Sequence, residues 1–151
     1  MTQHSALRER LEAAELVHVD ARVFGYHLIE ENPYADLTGV VFAGMQAGSV
    51  RAQTSSLALY QLLAEVYRHG EDDRAKEIAR TLTIHKGLEL VPVTADVAVQ
   101  AAQVIAQLGG RPERAVQIAT ALAGGAEIFL TQGSGLRRIV GMVVVNLEDF
   151  L

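Results

Sequence analysis

Leu16-Val17-His18-Val19-Asp20 reads as a short, compact strand that ends on a carboxylate. Working outward, four further stretches have strand character: Val50 to Thr54, Leu88 to Val93, Glu127 to Thr131 and Met142 to Leu147. Helical patterns separate them. Pro33 marks a break and the start of a helix to about Ala47, since proline suits a first helical turn. Ser55 or Ser56 can cap a helix to His69 with Leu59, Leu62, Leu63 and Val66 on its apolar side. Asp72 to His85 reads as helix and stops before Gly87. Thr94 can cap Ala95 to Leu108, and Pro112 opens a helix to Ala123 that Gly124 and Gly125 end. Strands separated by helices imply parallel pairing through right-handed crossovers. Met142 to Val145 is apolar throughout, the pattern of a strand covered on both faces. Ligands of such sheets bind beyond the carboxyl ends of the strands, which is where Asp20, Thr54 and Thr131 fall.

A chain of 151 residues is a usual length for one α/β domain. With no cysteine, it has neither a disulfide framework nor a thiolate metal site, which agrees with a cytoplasmic location. The polar, charged segment Met1 to Glu15 is not a signal peptide, and no apolar run reaches the roughly 18 residues of a membrane helix, so no membrane is expected. The formal charge of −5 opposes non-specific binding to a phosphate backbone unless positive charge is gathered locally.

Four segments in order, Val17-His18-Val19-Asp20, Thr54 to Leu63, Ala115 to Leu122 and Ile128-Phe129-Leu130-Thr131-Gln132-Gly133, resemble the PIN-domain family, in particular the ribonuclease toxins of bacterial toxin–antitoxin pairs. The resemblance covers residues 15–151 as a PIN-like domain and leaves residues 1–14 as an N-terminal helical extension. Within that extension Leu7, Leu11 and Ala14 form a narrow apolar edge, expected to dock on the domain itself. The resemblance implies a three-layer fold, a parallel sheet of about five strands flanked by helices. It also implies magnesium- or manganese-dependent RNA cleavage, with three or four carboxylates at the strand ends holding the metal.

Most of that acidic set is replaced. Asp20 matches the family's first acid, followed by Ala21 where a hydroxyl residue is usual. The second acid's position is Gln61, the third's is Arg114, and the fourth's is Gly133 in Thr131-Gln132-Gly133. A hard cation is held by carboxylate charge, so no metal cofactor is expected. Glu65 and Glu113 are weak rescue candidates that could join Asp20 if the helices shift by a turn; the plainer reading makes them surface acids. Arg114 either pairs with Asp20 in the metal's place or points to solvent.

Other candidates carry less. His18 shares a strand face with Asp20 and reads as a hydrogen-bonded core histidine; none of the five histidines has metal-ligand spacing. Gly133-Ser134-Gly135 with Arg137 and Arg138 is a turn or a small anion nest. Helix capping explains Thr54, Ser55 and Ser56 better than a nucleophile does. Tyr26, Tyr34 and Tyr60 form no stacking platform visible in sequence. The expectation is a pseudo-nuclease, a homodimer that binds an antitoxin-like protein, another PIN protein or RNA. The alternative is a magnesium- or manganese-dependent endoribonuclease using Asp20 with Glu65 or Glu113.

Overall fold

The structure, a computed structural model, describes residues 2–28, 33–133 and 135–151. Its centre is a five-stranded, wholly parallel sheet in the order β3-β2-β1-β4-β5, with β1 at Val17–Val19, β2 at Ala52–Ser55, β3 at Leu88–Val91, β4 at Ile128–Thr131 and β5 at Val143–Asn146. The helices are α1 Gln3–Glu12, α2 Ala21–Leu28, α3 Ala35–Ala47, α4 Ser56–Arg68, α5 Asp72–Ile84, α6 Ala95–Leu108 and α7 Pro112–Gly124. A 3₁₀ turn, Leu147–Phe150, ends the chain. The α/β reading and the five strands hold.

Local chemistry sets the ends. Ser55 Oγ accepts from the Leu57 amide and Thr94 Oγ1 from the Val97 amide, each satisfying a donor that a helix start leaves open. Pro112 occupies the first turn of α7, and Gly125 closes it at φ 73°.

Alternation along the strands sorts the side chains into two cores. Val17 and Val19 of β1, with Ile128 and Leu130 of β4, join the apolar faces of α1 to α5. Phe129, on the opposite face of β4, joins α6 and α7. That gives three layers, as expected of a doubly wound sheet. Leu7 and Leu11 of α1 are fully buried in the larger core, each contributing about 1.5–3 kcal/mol, and α1 packs on α3 and the closing 3₁₀ turn.

One element is additional and one expectation changes. The segment after Asp20 is a helix, α2, that burial of Ala21, Val23 and Phe24 stabilises; its few apolar positions give too short a period to read in sequence. β5 is an edge strand, and its first half is not covered: Val143 is 49% exposed.

Candidate functional site

Strands run outward from β1 to β3, and the chain then returns to place β4 on the other side of β1. The order therefore reverses between β1 and β4, and the crevice of a doubly wound sheet opens at that point. Asp20 follows β1 there, and its amide donates to Leu130 O at 3.0 Å. Thr131, the last residue of β4, donates its hydroxyl to Asp20 Oδ2 at 2.7 Å. The carboxyl is buried, and burial pushes its pKa above the ordinary value, opposed by the Thr131 hydroxyl, the Arg22 charge and the amides of Ala21 and Arg22.

A cavity of about 250 Å³ opens beside Asp20. Ala21 and Arg22 of α2 line it, with Gln61 of α4 and, from the start of α7, Arg111, Glu113, Arg114 and Gln117. Three of the four positions that the resemblance assigns to an acidic set, Asp20, Gln61 and Arg114, thus line one pocket. Gly133 stands close by, its carbonyl accepting from Arg22 Nη1 at 3.0 Å. Glu113 is in the pocket; Glu65 is not among its lining residues and pairs on the surface with Arg68 at 2.8 Å. Among the described residues no group of three or more His, Asp or Glu side chains converges.

Among the described residues the cation that acts on Asp20 is Arg22. The Arg114 guanidinium packs against Gly110, where a Cβ would collide with it, and no ion pair joins it to Asp20 among the described residues. Arg22 follows Asp20 by two positions at the start of α2, so the missed helix also hid its cation.

Behind the pocket lies a buried polar chain. Register places His18 beside Gln53 of β2 and Phe129 of β4. Its ring stacks on Phe129 with centroids 5.2 Å apart. Burial pulls the His18 pKa down from 6.5 to about 4, against the opposing hydrogen bond with Gln117, so the ring is neutral at pH 7. As a neutral ring it donates from Nε2 to Gln117 Oε1 at 2.6 Å and accepts at Nδ1 from Gln53 Nε2 at 3.2 Å. Gln53 Nε2 also donates to Thr120 O at 3.1 Å. The chain ends at Gln117, 1% exposed, whose Nε2 has no hydrogen-bond partner. Gln61 Oε1 and Thr54 Oγ1 are likewise buried and unpartnered.

His18 is thus the core histidine that the sequence suggested. Gln53 and Gln117 were missed, although a polar residue in a central parallel strand must be buried, and that signal could have found Gln53. Tyr26 and Tyr34 do come together, ring centroids 5.0 Å apart, and Gln132 Nε2 donates to the Tyr34 hydroxyl at 2.9 Å; Tyr60 stands apart, exposed on α4. Of the suggested anion nest, Ser134 lies outside the described residues, and Arg137 is engaged by Glu148 and Asp149 at 2.9 and 3.2 Å.

A doubly wound parallel sheet with a polar pocket at the β1–β4 switch point defines the class of protein: an α/β domain with a polar pocket beside Asp20. The PIN-domain model matches residues 17–141, and the chain belongs to the PIN-domain family. Solved structures agree in fold. VapC20 of Mycobacterium tuberculosis, a toxin that cleaves the sarcin–ricin loop, is 16% identical, with a TM-score of 0.62 over 75% of this chain and 86% of that one. VapBC2 of Rickettsia felis, bound to a DNA fragment from its promoter, gives 14%, 0.67, 87% and 98%. A toxin–antitoxin complex from Klebsiella pneumoniae gives 14%, 0.63, 87% and 97%. No curated protein sequence matches the chain.

Proposed function

We propose that this PIN-domain protein no longer cleaves RNA and acts in the cytoplasm, as a homodimer, by binding an antitoxin-like protein, a PIN partner or RNA. The observation that carries the reading is the make-up of the pocket among the described residues: three guanidinium groups, Arg22, Arg111 and Arg114, against two carboxylates, Asp20 and Glu113. Magnesium and manganese need carboxylate oxygens and keep their waters where these are few. Described lining residues in which guanidinium groups outnumber carboxylates do not fit such a cation, so the reading includes no metal cofactor. The likeness in fold to toxin–antitoxin complexes from two bacteria supports the partner class. For the location, no helix among the described residues is long and apolar enough to cross a membrane.

Glu113 beside Asp20 favours the second reading, a metal-dependent endoribonuclease using those two acids; Glu65, paired with Arg68, adds nothing to it. Calorimetry with manganese separates the two. The unaltered protein gives no binding heat, and the triple variant Gln61→Glu, Arg114→Glu, Gly133→Asp gains affinity, the left-handed backbone at position 133 (φ 67°) being one that aspartate tolerates. Micromolar manganese binding by the unaltered protein, abolished by Asp20→Asn together with RNA cleavage, would overturn the proposal.

A further inference from the structure

We propose that the Asp20 pocket has become a phosphate-binding site for a hydroxyl-bearing phosphate ester such as a ribose phosphate, with Gln117 and Arg111 on the phosphate and Gln61 on the hydroxyl. This deepens the non-catalytic reading above and rests on it.

Three observations converge. Gln117 is 1% exposed and lines the cavity, and its Nε2 has no partner. Its other end is fixed: Oε1 accepts from His18 Nε2 at 2.6 Å, and the neutral ring is held in that tautomer by Gln53 on Nδ1. The amide therefore cannot flip to offer its oxygen without breaking the His18 bond. A buried donor left unmatched costs more than an ordinary hydrogen bond contributes, and a phosphate oxygen is the acceptor that an arginine-lined pocket selects.

The second observation is the wall formed by the first turn of α7. Arg111 at its N-cap makes no capping hydrogen bond with its side chain, and that side chain is exposed at the cavity. The positive end of a 13-residue helix and a guanidinium thus act on one space. Among the described lining residues, Arg22, Arg111 and Arg114 outnumber Asp20 and Glu113, although the whole chain carries −5.

The third is Gln61, which lines the same cavity and whose Oε1 is buried and unpartnered. A fully ionised phosphoryl group has no proton to donate to an acceptor. A ligand that carries a hydroxyl next to its phosphate satisfies both amides, and about 250 Å³ admits a group of that size.

Calorimetry of the full chain with inorganic phosphate, ribose 5-phosphate and adenosine 5′-monophosphate tests this, with manganese titrated in parallel. Expected are binding of all three, tighter for the two esters, and a loss of about tenfold or more in Arg111→Ala, a surface change that leaves the core intact. Gln117→Leu abolishes binding, and Gln61→Leu removes the esters' advantage over inorganic phosphate. A folded protein that binds none of the three up to about 10 mM, or equally well as Arg111→Ala, overturns the site. Esters no tighter than inorganic phosphate overturn the role given to Gln61. Manganese binding lost in Asp20→Asn sinks the non-catalytic reading itself, whereas silence towards both manganese and phosphate sinks only the anion site.

Discussion

Acidification should weaken this fold most through His18, with His27, whose pKa burial also lowers, acting in the same sense. Its ring is fully buried among Phe129, Gln53 and Gln117, and burial lowers its pKa from 6.5 to about 4. Above pH 6.5 the ring is neutral in both folded and unfolded chains, and its contribution to stability is complete. Between 6.5 and about 4 only the unfolded chain takes up the proton, so stability falls as pH falls. Below about 4 both states are protonated and the loss stops growing. At about 1.36 kcal/mol for each pH step, the total is about 3 kcal/mol, a large share of what holds a domain of this size together. Asp20 acts in the opposite sense at the acid end, since its raised pKa lets the folded state gain a proton first. A comparison with His18→Gln, which keeps a donor but cannot titrate, isolates the histidine. Urea unfolding from about pH 7.5 to about pH 4.5 should show the stability difference between the two proteins shrinking by close to one proton's slope. A difference that stays flat across that range, or a His18 ring resonance that titrates near pH 6.5 in the folded protein, would refute the reasoning.

Three other perturbations have definite outcomes. Gly87→Ala should cost about 2 kcal/mol or more in chemical denaturation, because φ is +78° and a Cβ would lie 2.6 Å from Met45 O; Gly48→Ala, at φ +83° in open space, should cost only about 1 kcal/mol. Leu11→Ala should destabilise the domain by about 2–5 kcal/mol, since the side chain is wholly buried between α1 and the main core; a neutral result would mean that α1 is not docked as described. Asp20→Asn should raise the melting temperature at neutral pH, because an amide oxygen still accepts from Thr131 while the buried charge is gone. That gain should fade on acidification as the native carboxyl takes up its proton.

Periodicity and capping are local, so the sequence by itself determined the alternation of strands and helices. Thr94, Pro112 and the glycines after α7 delimit their elements through bonds within a few residues, and no distant contact is needed to read them. The resemblance also pointed to Asp20, Gln61, Arg114 and Gly133 from the order of its motifs, and the first three line one pocket. Only the tertiary structure decided what surrounds them. Register laid His18 between Gln53 and Phe129, and packing of α7 over that face brought Gln117, 99 positions away, onto its ring. Glu113 and Glu65 look alike as isolated acids, yet one faces the pocket and the other Arg68. Which side of a helix meets the sheet depends on side chains from other elements filling the space between them, and a local pattern carries no record of that packing.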